Sequence, residues 1–270
     1  MLKYLHGIQN AYFSLKMPNW KDNIFFTLVN PREPGNIGAA ARAIRNTGFS
    51  NLELINPPEN HTEGHDFWLA CHATDTLRDA AVYDSMDKAL EDKALIVGTS
   101  RRAGKKRGLL FTLKEGVKEV VKAAGKNRVA ILFGTEDRGL TNEEVDKCGF
   151  LMHIPTAAEA PSLNLAQAVL LVAYELASRT PEAESPALIP YEEMQQLFEQ
   201  IRKTLKLLEY IPRGDRDMEE RIMRNLRHVL GRSGLTPWEG GMVRGICNRI
   251  EQVVNEDGAF RAKSKGINVK

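Results

Sequence analysis

The chain has 270 residues, enough to bury one large core or two small ones, and its 43% hydrophobic and 27% charged residues are ordinary for a soluble globular protein. No apolar run reaches the roughly 18 residues of a membrane helix, and the first twenty residues, MLKYLHGIQNAYFSLKMPNW, lack the continuous apolar stretch of a signal peptide. The net charge of +2 does not announce a nucleic-acid partner, but residues 190–270 hold 15 Lys/Arg against 12 Asp/Glu, so the positive excess sits in the C-terminal third.

In chain order, residues 1–21 read as an N-terminal extension, with Met17 as an alternative start. From 22 to 179 short apolar runs alternate with helical patterns, the signature of an α/β domain with a largely parallel sheet. Strands are expected at 24–29, 52–56, 94–100, 129–134 and 150–155. After the first strand comes NPREPGNIGAAARAIRNTGF (30–49). Asn36 is the expected N-cap, Ile37 to Asn46 the helix, and Gly48 its C-terminal stop. At 100° per residue Ile37, Ala40, Ala41 and Ile44 share a packing face, while Gly38, Arg42, Arg45 and Asn46 share another. The Pro-Gly-Asn turn and these arginines together suit an anion such as phosphate.

SRRAGKKRG (100–108) follows the next strand but one and places five cations in seven residues, a phosphate-backbone contact surface or a solvated loop. LFGTEDRGLTNEE (132–144) runs from a strand into a glycine turn enclosing Glu136, Asp137 and Arg138. Thr141 and Glu144 then form a capping box. The chain contains neither GxGxxG nor a Walker GxxxxGK[ST], which argues against a Rossmann dehydrogenase and a P-loop nucleotidase. In HIPTAAEAPSLNLAQAVLLVAYEL (153–176) Ser162 is the expected cap of an apolar helix buried on more than one face. Asn164 falls in its first turn and needs a polar partner.

TPEAESPALI (180–189) is a linker, and residues 190–256 read as an all-helical module with helices at 190–211, 216–231 and 236–255. In the second of these Ile222, Leu226, Val229 and Leu230 share one face, and Arg221, Arg224, Arg227 and His228 the other. Thr236-Pro-Trp-Glu opens the third as a cap with a first-turn proline. The polar tail, 257–270, is expected to be loose. Cys71, Cys148 and Cys247 are far apart, without metal-ligand spacing, so buried thiols in a reducing cytoplasm are expected, and no metal.

Together and in this order, these stretches resemble the SPOUT class of RNA methyltransferases, in its SpoU-type 2′-O-ribose branch. The matching residues are Asn36 and Arg42 in the first stretch, FGTEDRGL (133–140) against the family's FGxExxGL, and SLN (162–164) before an apolar helix ending in Tyr174-Glu175. In the C-terminal module YEEM (191–194), LLEYI (207–211), MRNLRHVLGRSGLT (223–236) and RGICNRIE (244–251) are similar to the C-terminal helices of a branch that methylates tRNA at anticodon-loop position 32. The resemblance implies a trefoil-knotted α/β fold and a homodimer with its active site built from both subunits. It implies S-adenosylmethionine held by main-chain groups near Thr99, Ser100, Arg101, Gly134, Ile154, Pro161, Ser162 and Leu163.

The implied reaction is in-line attack of a ribose 2′-oxygen on the sulfonium methyl carbon. The family assigns the arginine matching Arg42 as general base. A guanidinium stays protonated in proteins, so stabilising the developing alkoxide or holding the adjacent phosphate is the physically easier role. Asn36 and Ser162 would orient Arg42 and the ribose, Glu136 would fix the local network, and Asn164 would hold the third motif. Arg101, Arg102, Lys105, Lys106 and Arg107, with Arg221, Arg224 and Arg227, would grip tRNA. Two other functions fit less of the chain. One is a non-catalytic regulator using LGRSGLTPWEGG as a helix-turn-helix, which Gly240 and Gly241 weaken; the other is a methyltransferase acting on rRNA.

Overall fold

The computed structural model describes residues 19–61, 73–101, 108–157, 159, 162–181, 185–211 and 216–264, the last eight as backbone only. Met17, Cys71, Arg102, Lys105, Lys106, Arg107, Pro161 and residues 265–270 lie outside the described residues.

Seven strands form one parallel sheet in the order β3-β2-β1-β6-β4-β7-β5. They are β1 (Ile24–Val29), β2 (Asn51–Ile55), β3 (Ala81–Tyr83), β4 (Leu95–Thr99), β5 (Leu110–Thr112), β6 (Val129–Phe133) and β7 (Phe150–His153). The five strands expected from sequence are all present, each trimmed or shifted by one or two residues at an end except β1. The two missed are the edges, β3 and β5, whose three residues are too few to show a period. Central β1 and β6 are buried on both faces, as a helix-covered parallel sheet requires.

Alternation divides the core. Ile24, Phe26, Leu28, Val129, Ile131 and Phe133 face one layer, and Val29, Ala130 and Leu132 the other. Helix α1 (Pro34–Asn46) packs in the first layer, and its buried residues include Ile37, Ala40, Ala41 and Ile44, the face read from the sequence. Its start differs from expectation. Pro34 occupies the first helical position and Glu33 the cap, without a side-chain capping bond, so Asn36 lies inside the first turn. Gly38 is buried with the alanines rather than exposed beside Arg42 and Arg45. The stop is Gly48, at φ +81°, directly after Thr47.

Short helices α2 (Thr74–Arg78) and α3 (Met86–Leu90) lead into the longer α4 (Leu113–Ala124). After β6 comes α5 (Asn142–Val145), opened by the expected Thr141–Glu144 capping box. Helix α6 (Leu165–Ala177) packs on α1. It is capped by Asn164, not Ser162: the Asn164 carbonyl oxygen accepts from the amides of Ala166 (2.8 Å) and Gln167 (3.4 Å). Nor is α6 enclosed on all sides. Val169, Val172, Ala173 and Leu176 are buried among α1, α4 and β6, but Leu170, Leu171 and Tyr174 are 44%, 40% and 68% exposed.

Three more helices, α7 (Tyr191–Leu207), α8 (Arg216–Gly231) and α9 (Pro237–Ser264), carry their own core around Leu197, Phe198, Met223 and Cys247. Helix α9 continues to Ser264, into the stretch expected to be loose. It opens with the expected cap, Thr236 Oγ1 accepting from the Glu239 amide at 3.3 Å. The connection to α7 is tied down by buried Asn127, which donates to the Pro186 carbonyl (2.9 Å) and accepts from the Leu188 amide (2.8 Å). Helix α8 abuts the sheet domain so closely that a Cβ on Gly149 would lie 2.2 Å from the carbonyl oxygen of Gly231. Contact on two sides shifts its apolar face from the expected one: Met223, outside that set, is the fully buried residue, whereas Val229 is 57% exposed. Cys148 and Cys247 are buried free thiols, and burial raises the Cys148 pKa. Among the described residues no helix is long and apolar enough to cross a membrane.

Among the described residues, Lys93 and Glu53 form an ion pair with both side chains buried. Lys93 Nζ lies 2.8 Å from Glu53 and 4.2 Å from the Phe25 ring centroid, and Thr27 Oγ1 donates to the other Glu53 oxygen at 2.8 Å. Removing one partner strands the other charge in the core. Lys93→Ala should therefore cost about 3–5 kcal/mol in urea unfolding, and the double change Lys93→Met with Glu53→Leu should recover most of it. A single variant as stable as the parent would refute this account.

Candidate active site

Strand ends supply the site. The loops after β4, β6 and β7 and the start of α6 enclose a cavity at the carboxyl edge of the sheet, where parallel sheets offer unpaired backbone groups. Of the residues expected to hold a cofactor, Thr99, Ser100, Arg101, Gly134, Ile154, Ser162 and Leu163 all line it. Thr99 Oγ1 donates to the Leu132 carbonyl at 2.9 Å, and the Ser100 amide donates to the Met152 carbonyl at 2.9 Å, so the first loop is fastened to both neighbouring strands.

Gly134 is where the cavity wall demands glycine. A Cβ there would stand 2.2 Å from the carbonyl carbon of Gly139 and the nitrogen of Leu140. The turn folds back on itself through a Thr135–Gly139 bridge, with Gly139 at φ +69°. That fold-back aims Glu136 away from the strand and onto the start of α1. Its carboxylate accepts from the amides of Arg32 (3.1 Å) and Glu33 (3.2 Å) and from Asn36 Nδ2 (3.0 Å). The anion expected at this helix start is thus an internal one: the second motif satisfies the amides just ahead of the helix in the first.

Asn36 extends the chain of bonds. Its Oδ1 accepts from Asn164 Nδ2 at 2.8 Å, while Asn164 caps α6 with its own oxygen. Glu136, Asn36 and Asn164, far apart in sequence, form one continuous network beside the cavity. Partial burial works against ionisation of Glu136, but the Asn36 bond and the backbone donors outweigh it and hold the carboxyl below its ordinary range. Asp137 is held low as well, chiefly by the Thr135 hydroxyl and also by Arg32, whose guanidinium lies 2.9 Å away.

Arg42 stands apart from this cluster. It is exposed on α1 and does not line the cavity of its own chain. The expected RNA-binding arginines of α8 also separate. Arg221 is exposed, whereas Arg224 pairs with Asp146 at 3.1 Å and Arg227 lies over the Phe198 ring at 5.7 Å. Arg101 is exposed at the cavity. Sequence reasoning missed Arg32, which acts through its main-chain amide and an ion pair, and a backbone donor leaves no mark in residue type.

The three motifs thus meet at one edge of the sheet, around one cavity. Residues 23–174 match the model of the SpoU rRNA Methylase family, and the chain belongs to that family. Residues 192–259 match a second model, the C-terminal domain of the tRNA methyltransferase TrmJ. The chain is 34% identical over 248 residues to the tRNA (cytidine/uridine/adenosine-2′-O-)-methyltransferase TrmJ of Pseudomonas aeruginosa, covering 86% of this chain and 95% of that one. It is likewise 34% identical to the tRNA (cytidine/uridine-2′-O-)-methyltransferase TrmJ of Photorhabdus laumondii, over 86% of this chain and 98% of the relative. The crystal structure of TrmJ from Z. mobilis ZM4 superposes with a TM-score of 0.71 at 29% identity, covering 84% of this chain and 98% of that one.

The ionised Glu136 sets a pH signature. Because its folded-state pKa is lowered, the network's stabilisation is fully present above the ordinary glutamate range and is lost as pH falls through the folded-state value. Glu136→Gln should cost about 1 kcal/mol at pH 7, allowing for solvent screening, with the gap to the parent closing in acid. Urea melts across pH read this directly; a gap independent of pH would mean that the carboxylate charge plays no part.

Proposed function

We propose that the protein transfers a methyl group from S-adenosylmethionine to a ribose 2′-oxygen of tRNA, at cytidine or uridine 32 of the anticodon loop. The observation that carries this reading is the single network Glu136–Asn36–Asn164, which joins all three family motifs at the edge of the cavity. Relatives named as tRNA 2′-O-methyltransferases, alike over most of both chains, support the substrate class. The likeness of residues 191–251 to that branch supports position 32.

The cavity suits the cofactor on its own chemistry. Phe133, Leu140, Ile154, Leu163 and Leu165 offer an apolar wall for a flat base, and the tight Gly134 turn brings main-chain groups close enough to read its edge. When bound, S-adenosylmethionine supplies an electrophilic methyl carbon. The protein's task is to orient the attacking hydroxyl and to stabilise the charge that grows on its oxygen. Asn36, immobilised between Glu136 and Asn164, presents a fixed polar edge for this, and Ser162 offers a hydroxyl at the cavity wall. A guanidinium is the natural partner for the nascent alkoxide, and Arg42 fills that role from a second copy of the chain.

The two-copy arrangement rests on exposure. Leu170, Leu171 and Tyr174 form an uncovered apolar face on α6, the helix against which Arg42's own helix packs. Covering that face with its symmetry mate would carry Arg42 towards the neighbouring cavity, and the trefoil knot belongs to the same family-based reading. In this reading residues 22–179 are the catalytic unit and 190–256 the RNA-holding module.

Nucleoside mass spectrometry of tRNA incubated with the protein and labelled cofactor tests the activity. Labelled 2′-O-methylcytidine or 2′-O-methyluridine, mapped to position 32, is expected; label mapped elsewhere in tRNA, or absent, would overturn the reading. Arg42→Ala should abolish transfer while calorimetry finds cofactor affinity within about twofold of the parent, since a contact made only in the transition state affects rate and not ground-state binding. Leu170→Asp with Tyr174→Asp should yield a monomer in analytical ultracentrifugation and lose activity with it. An active monomer would place Arg42's function within one chain.

A further inference from the structure

The turn between Gly134 and Gly139 carries three charged side chains, and two of them are committed. Glu136 accepts from the Arg32 and Glu33 amides and from Asn36, and Asp137 pairs with Arg32 at 2.9 Å. Both acids therefore pull the turn towards the N-terminal side of α1. Arg138 is left exposed at the cavity, and among the described residues it has no acidic partner. Arg101 stands on the adjacent loop in the same condition, exposed, lining the same cavity and without a described acidic partner. The two loops leave neighbouring strands, β6 and β4, paired up to Gly98 and Leu132. Two exposed arginines thus line one cavity from loops that follow paired strands.

We propose that Arg138, with Arg101, holds a backbone phosphate of the RNA next to the reacting ribose. Their exposure decides what kind of anion they meet. A cation enclosed with the cofactor would repel its sulfonium, whereas one at the rim meets the polyanion that must approach from outside. A guanidinium fork matches two phosphate oxygens at once, and the turn fixes it beforehand, so little ordering is lost on binding. Of the two nearby carboxylates, Arg32 neutralises one, and the other keeps its charge but is turned onto the amides at the start of α1. Arg138 is thereby a substrate-positioning residue that selects no base but sets where along the strand the ribose stops. This inference rests on the reading of the cavity as an RNA methyltransferase site.

Arg138→Ala and Arg138→Lys test it against the parent. Unmodified tRNA affinity is measured as a function of salt, S-adenosylmethionine affinity by calorimetry, and KM and kcat for tRNA by methyl transfer. Loss of one phosphate contact should weaken tRNA binding about five- to tenfold at 0.1 M salt and reduce the salt slope by about 0.7–0.9. The KM for tRNA should rise more than kcat falls, and Arg138→Lys should restore the salt slope but only part of the affinity, because an ammonium keeps the charge and loses the fork. Unchanged tRNA affinity and slope in Arg138→Ala would overturn the proposal. So would weakened cofactor binding with tRNA binding intact, which would assign Arg138 to the cofactor carboxylate. A parent protein that binds tRNA and cofactor without transferring methyl would refute the enzymatic reading alone, leaving the salt-slope comparison to judge Arg138.

Discussion

A single carboxylate organises the cavity edge of this protein. Helix α1 begins with a proline and a cap residue whose side chain makes no capping bond, so the amides at its start need an acceptor from elsewhere. Glu136 supplies it from the loop after the neighbouring strand β6 and in doing so fixes the turn it belongs to, the side chain of Asn36 and, through Asn36, the cap of α6. One group thus meets a backbone requirement and aligns three segments from distant parts of the chain. Much of the cost of ordering the site is already met in the fold, which is the condition for electrostatic stabilisation without reorganisation during reaction.

The glycines show the same economy of placement. Gly134 is required because the backbone of Gly139 and Leu140 occupies the space a side chain would take, and the tightness of that turn is what aims Glu136 at α1. The turn's acids serve the protein and its arginine is left for something outside it. The charge pattern E-D-R is therefore not a local ion-pair cluster, although the residues are adjacent in sequence.

The sequence made the central strands legible because β1 and β6 are continuous apolar runs and each is followed by turn chemistry. The cavity was legible too, since its walls are short motifs that end strands. Less visible was how those motifs touch. Asn36 resembles an N-cap by residue type, yet the proline ahead of it already starts the helix, so its amide side chain is released to reach Glu136 and Asn164. Ser162 and Asn164 are both good caps, and only the three-dimensional path selects Asn164. The arginines of α8 illustrate a different limit. A helical wheel puts them on one face, but α8 touches both its own module and the sheet domain, and Arg224 and Arg227 are drawn into those contacts. On α6 the apolar residues gave no hint of which face would remain open, because both faces are equally greasy.

The approach of Gly149 to Gly231 sets main chain against main chain, with no side chain between them to bend or rotate. A contact of that kind has almost no compliance. The second helix of the C-terminal module is therefore mounted on the sheet like a fixed stop on a bench rather than an arm on a hinge. If the helical module grips a folded RNA, the separation between grip and cavity becomes a built-in gauge, and the nucleotide presented for reaction is chosen by distance as much as by identity. Adding even a methyl group at Gly149 would recalibrate the gauge without touching a single reacting group.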